Sequence, residues 1–279
     1  MPTFPPLPHL VGRGLSRLNR VAPGWTGRTL LRLFMRPRAG KLSPADKVFL
    51  ATADEQRNVD FNGLAIRTYG WHPQGKRTVL LLHGWESNAA RWADLIAVLP
   101  AADLHVVAID GPAHGASGGK LFNAVDYAAC LANVLQHYPT AAVVGHSLGG
   151  MALAYYLYNH PETQVRRAVL LGVPSELPHM MRVYQDMLRF DEASLVSLER
   201  AIQRRFHQSS ASFSVRAFCP HIHVPTLVIA DRADQLAPLA DSVAYAEELP
   251  DSQLLLTDGL GHSLQGEPVF RAIRDWLLN

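Results

Sequence analysis

The strongest chemical signal in the sequence is Gly145-His146-Ser147-Leu148-Gly149. It follows an apolar run, residues 141–144, and opens a helical stretch, residues 148–160. A strand that turns sharply into a helix presents its turn residue at the tip. Gly145 and Gly149 are small because side chains two residues either side of that tip would clash, and His146 completes the turn. Ser147 then stands at a helix N-terminus, where backbone N–H groups favour developing negative charge. A serine hydroxyl is a weak nucleophile until a base takes its proton. His262 is the candidate base, because it lies just past the last apolar run, residues 252–256. The other histidines after Ser147 (His160, His179, His207, His221 and His223) follow no such run. The base in turn needs an orienting carboxylate. Asp231 and Asp234 both lie past the run 225–229. Asp234 is favoured because Gln-Leu-Ala-Pro after it turns into the next helix. Asp231 stays open, Glu176 more distantly so, and Asp258 is too near His262 in sequence.

An acyl-transfer site also needs two N–H donors for the oxyanion. One is expected from the amide of Leu148, the residue after the nucleophile. The other is expected from the loop His83-Gly84-Trp85 after the run 78–82, where Gly84 permits an unusual turn and Trp85 supplies the amide. His83 is expected to orient that loop, and the Trp85 ring is free to line an acyl pocket. The segment 110–117, Asp-Gly-Pro-Ala-His-Gly-Ala-Ser, reads as a rigid loop at the same edge, with His114 structural.

These residues need a scaffold, and the chain carries one. Apolar runs at 78–82, 105–109, 141–145, 167–171, 225–229 and 252–256 alternate with stretches of helical spacing. Short runs without period-two alternation suit strands buried on both faces, and the alternation with helices calls for a parallel sheet covered on both sides. Ahead of them, residues 57–61 and 64–71 flank Asn62-Gly63, a hairpin signal. About fifty residues separate the runs ending at 174 and beginning at 224. They are too many for a structureless loop and hold two helical patterns, so a helical insertion over the carboxyl edge of the sheet is expected. Its Met180, Met181, Met187 and Leu188 are either that insertion's own core or adaptable surface for acyl chains.

The 279 residues include 48% hydrophobic and 18% charged, an ordinary globular composition. Charge is unevenly placed. Residues 1–41 carry seven Arg, one Lys and no acid, for +8, and the remainder is −6. Residues 1–24 read as an irregular Pro- and Gly-rich arm, and 25–36 as a short helix capped by Thr26 with Leu30, Leu33 and Phe34 on one face. That face packs on the body, or else residues 25–38 rest on a membrane surface with Arg on lipid headgroups. Nucleic acid is not expected, since no aromatic-and-basic motif accompanies the charge. The two cysteines, Cys130 and Cys219, match no metal or redox spacing and fit a reducing cytoplasm; no signal segment is evident. His221-x-His223 lacks the further ligands of a zinc site, so no metal and no cofactor is expected.

Taken together, HGW, DGPAHGASGG, GHSLGG, ADRADQLAP and GLGHS, in this order, resemble the α/β-hydrolase superfamily from about residue 55 to 279. The resemblance implies an eight-stranded, mostly parallel sheet flanked by helices, with a small helical cap inserted after the sixth strand, at about 175–222. It leaves 1–54 as a basic N-terminal arm. It implies Ser147, Asp234 and His262 as triad and the amides of Trp85 and Leu148 as oxyanion donors. The members nearest in motif style are carboxylesterases, so the expected activity is cleavage of a small ester with an apolar acyl group. Transfer of the acyl group to another acceptor, hydrolysis of another acyl or C–C bond, and a non-catalytic binding role on this fold are the alternatives. A dehalogenase of this fold would carry Asp at position 147.

Overall fold

The computed structural model describes residues 6–279. Eight strands form one sheet: β1 (Glu55–Phe61), β2 (Leu64–Trp71), β3 (Arg77–Leu82), β4 (Leu104–Ile109), β5 (Thr140–His146), β6 (Arg167–Leu171), β7 (Thr226–Asp231) and β8 (Ser252–Thr257). Their order is β1-β2-β4-β3-β5-β6-β7-β8. β1 and β2 run antiparallel to their neighbours, and every pair from β4 across to β8 is parallel. The β1–β2 hairpin closes on Asn62 and Gly63, both with positive φ (53° and 78°), as a two-residue turn of matching twist requires. This is the α/β-hydrolase fold.

The helices in chain order are α1 (Pro6–Asn19), α2 (Pro23–Phe34), α3 (Pro44–Leu50), α4 (Ala93–Val98), α5 (Ala124–Leu135), α6 (Leu148–Asn159), α7 (Leu177–Leu188), α8 (Glu192–Phe206), α9 (Val215–Phe218), α10 (Leu239–Glu248) and α11 (Glu267–Leu278). By its internal contacts the chain forms two compact units. The larger, residues 37–175 with 218–279, holds the whole sheet; the smaller joins residues up to 36 with 176–217.

In the larger unit the central strands are buried on both faces: Leu80–Leu82, Val106–Ile109, Val143, Val144, Val169, Val228 and Ile229 are at most 1% exposed. Trp71, Trp92 and Trp276 join this core. β8 departs from the expectation of two buried faces. It is an edge of the sheet, and Gln253 and Leu254 lie exposed where no further strand pairs with it. Cys130 and Cys219 are free and buried, and burial pushes both thiols up to about 12.

In the smaller unit α2 packs along α8, and α1 against α2, α7 and α8. Leu30, Leu31 and Met35 are buried there with Tyr184, Leu195, Leu198 and Ile202. Met181 and Leu188 belong to this core as well. Residues 6–19, expected to be irregular, are helical, and α2 begins at Pro23 rather than after Thr26, which lies inside the helix with a buried, unpartnered hydroxyl. The cause is positional. Proline at the first helical turn costs nothing, since that N–H has no partner in any case. Glycine within these helices permits close approach: a Cβ at Gly27 would lie 2.1 Å from the Ser197 carbonyl oxygen. In place of one short helix, the described part of 1–54 holds three, the last, α3, opened by a capping box of Ser43 with Asp46.

Candidate active site

The carboxyl ends of β3, β4, β5, β7 and β8 lead into His83, Asp110, Ser147, Asp234 and His262, so the sheet gathers these residues at one edge. Ser147 occupies the turn between β5 and α6 at φ 52°, ψ −122°, a sparsely populated conformation for a residue with a side chain. The turn leaves no room at its flanks. A Cβ on Gly145 would sit 2.7 Å from the Gly149 carbonyl oxygen, and one on Gly149 would sit 2.6 Å from the carbonyl oxygens of Leu82 and His83. Gly84 is excluded from carrying a side chain by Ser147 itself, whose Cβ would lie 2.8 Å away.

Ser147 Oγ–H donates to His262 Nε2 at 2.9 Å, and His262 Nδ1–H donates to Asp234 Oδ2 at 2.8 Å. The other carboxylate oxygen of Asp234 accepts the backbone N–H groups of Leu236 (2.8 Å) and Ala237 (2.9 Å). Burial pushes this carboxyl up, but the His262 bond and the two amides outweigh it and hold Asp234 below the usual range. Asp231, the competing candidate, is turned away. It accepts Thr257 Oγ1–H at 2.7 Å and the amides of Leu260 (2.9 Å) and Ala233 (2.9 Å). Burial opposes its charge, yet these donors hold it at about 2. It stitches β7 to the loop that carries His262. Glu176 accepts Ser214 Oγ–H in the smaller unit, and Asp258 is exposed.

His83 accepts the Gly111 N–H at Nε2 (2.8 Å) and donates from Nδ1 to the Gly84 carbonyl (2.7 Å). Burial drives its pKa down to about 3, so it is a neutral bridge between two loops. His114 does the same for the next turn: Glu86 N–H donates to its Nε2 (3.1 Å), its Nδ1–H donates to the Pro112 carbonyl (3.0 Å), and burial lowers it to about 4. Trp85 is half-buried, its ring 6.0 Å from Phe122 and 6.2 Å from His114. Leu148 is the first residue of α6, where backbone N–H groups have no acceptor within the helix.

Asp110 and Arg91 escaped the sequence reading, and His146, expected to support the turn at Ser147, also reaches the loop of His262. Asp110, wholly buried, accepts the amides of Ala89 and Ala116 (2.8 Å each) and the Tyr69 hydroxyl (3.2 Å), tying the loop after β3 to the loop after β4. Asp-Gly at a strand end was its only signal. His146 Nε2–H donates to the backbone carbonyl of His262 at 2.8 Å, and burial holds its pKa far below the ordinary value. Arg91 Nη2 donates to the next carbonyl, that of Ser263, at 3.0 Å, with its guanidinium over the Trp92 ring at 4.6 Å. Burial lowers its pKa to about 9, and its Nη1 is buried without a partner. In sequence Arg91 is one basic residue of an amphipathic stretch, with nothing to set it apart. His146 and Arg91 together hold consecutive carbonyls of the turn that carries the His262 ring. Among the described residues no group of three His, Cys, Asp or Glu side chains gathers as a metal site.

The α/β hydrolase fold family matches residues 77–191. A solved membrane phospholipase A, described as a bacterial virulence factor, superposes with a TM-score of 0.63 at 20% identity, covering 95% of this chain and 96% of that one. The chain has the α/β-hydrolase fold. Among curated relatives, a serine hydrolase-like protein of Danio rerio is 30% identical over 149 residues, 48% of this chain and 45% of that protein. The matched segment thus spans less than half the zebrafish protein. A pimeloyl-(acyl-carrier protein) methyl ester esterase of Vibrio vulnificus is 23% identical over 234 residues, 69% of this chain and 90% of that protein.

Proposed function

We propose that this protein hydrolyses carboxylic esters through an acyl-enzyme on Ser147. The observation that carries the reading is the continuous hydrogen-bond chain from Asp234 through His262 to Ser147. With Asp234 accepting from Nδ1, the imidazole presents a lone pair at Nε2 to the serine hydroxyl, the tautomer a general base needs. His262 takes the proton as Ser147 Oγ attacks the ester carbonyl. The amides of Leu148 and Trp85 receive the oxyanion. His262 then returns the proton to the departing alcohol, and water repeats the sequence to free the acid. Asp234 stays ionised and stabilises the imidazolium. The half-buried Trp85 ring suits an apolar acyl group of a small ester.

The test is hydrolysis of p-nitrophenyl esters from acetate to palmitate by wild type and Ser147→Ala. Turnover by wild type, with a loss of roughly 10³-fold or more in the variant, is expected. The chain-length optimum then measures the acyl pocket. Equal background rates in both proteins across the series would overturn the assignment.

A further inference from the structure

The basic N-terminal segment is committed on one face only. α2 turns Leu30 and Leu31 into the core of the smaller unit, which satisfies its apolar stripe. The opposite face is built differently. Trp25, Arg28 and Arg32 recur at three- and four-residue spacing and are all exposed, with exposed Leu33 beside them. α1 repeats the arrangement with exposed Leu10, Arg13 and Arg17, beside exposed Val11. The turn between the helices adds Val21, 81% exposed. Of the twelve large apolar side chains exposed among the described residues, five fall in this short segment: Leu10, Val11, Val21, Trp25 and Leu33. Among the described residues no ion pair engages Arg13, Arg17, Arg28 or Arg32.

We propose that this outward face of α1 and α2 is a docking surface for anionic lipid. Charge complementarity selects the occupant. The smaller unit carries twelve basic and five acidic side chains, a net +7, and the larger unit is −5, so charge is segregated onto the unit that presents the face. The interleaving of indole and aliphatic side chains with guanidinium groups selects lipid over a purely polyanionic partner. A bilayer interface solvates rings and aliphatic groups just below the plane where phosphates meet arginine. Nucleic acid offers the phosphates and no place for Leu10, Val11 or Val21. The proposal concerns the surface alone and stands or falls independently of ester cleavage.

Full-length protein is sedimented with phosphatidylcholine vesicles, with and without phosphatidylglycerol, at low and high salt. Wild type is expected to pellet only with phosphatidylglycerol and to be released by salt. Arg28→Gln/Arg32→Gln is expected to lower the partition coefficient about 25-fold, from about fivefold per arginine at an anionic surface. Leu10→Ser/Trp25→Ser is expected to weaken binding without changing its salt dependence. All four side chains are exposed, so melting temperatures near wild type accompany these losses. Equal pelleting of wild type and the arginine variant, or equal pelleting on phosphatidylcholine alone, would overturn the proposal. So would a wild type that ignores both vesicles and self-associates through the same arginines, which would assign the face to a second copy of the chain.

Discussion

Replacing Asp234 with Asn is the sharpest test of how the site works. The Asp234 oxygen that accepts the Leu236 and Ala237 amides at 2.8 and 2.9 Å faces two fixed N–H donors, so in the variant that position must remain oxygen. The amide NH₂ is then forced to face His262 Nδ1, now 2.8 Å from Oδ2. Two donors cannot meet there. The imidazole moves its proton to Nε2 and donates toward Ser147 where it should accept. The geometry survives and the base does not. A wrong-tautomer loss of this kind is about 10⁴-fold in the serine-protease case, and roughly 10³–10⁴ is expected here, about 4–5.5 kcal/mol of transition-state stabilisation. The assay is kcat for the best p-nitrophenyl ester, with thermal melts alongside. Asp231→Asn is the control. It disturbs the donors from Thr257, Leu260 and Ala233, so it lowers stability by about 1–3 kcal/mol while kcat stays near wild type. Asp234→Asn losing less than tenfold while Asp231→Asn abolishes turnover would refute the reasoning.

Two further outcomes are expected. Arg91→Ala frees the Ser263 carbonyl from its anchor and lowers kcat with KM little changed; Arg91→Lys, which restores one donor, recovers part of the loss. A pure rise in KM, or no recovery with lysine, would count against a positioning role for Arg91. Asp231 titrates at about 2 in the folded protein, below the usual carboxylate value of about 3.9. Its contribution is therefore complete above that value and is lost as pH falls toward 2. The stability difference between wild type and Asp231→Asn, followed by denaturant melts from pH 5 downward, narrows with acid; a difference that widens would contradict the assignment of its partners.

Much of the architecture was legible without coordinates because it is local. Apolar runs of five or six residues between helical stretches mark buried parallel strands, and Asn62-Gly63 marks a hairpin, because those signals reside in neighbouring residues. The strand-to-helix turn at Ser147 is read from the glycines beside it, and the structure adds the backbone atoms that forbid anything larger at Gly145 and Gly149. Tertiary structure decided what depends on residues distant in sequence. Asp231 and Asp234 are both turn-forming aspartates at the end of one strand. Only the path of the loop after β8 determines that Thr257 and Leu260 occupy the first while His262 meets the second. Arg91 and His146 reach carbonyls 172 and 116 residues away, a relation no local pattern encodes. β8 reads like the other strands, and its exposure follows only from being last in the sheet. The prolines and glycines of residues 6–27 suggest irregular chain until α8 is seen pressed against Gly27. Proline and glycine report what a segment costs alone, and packing against distant helices decides whether it folds.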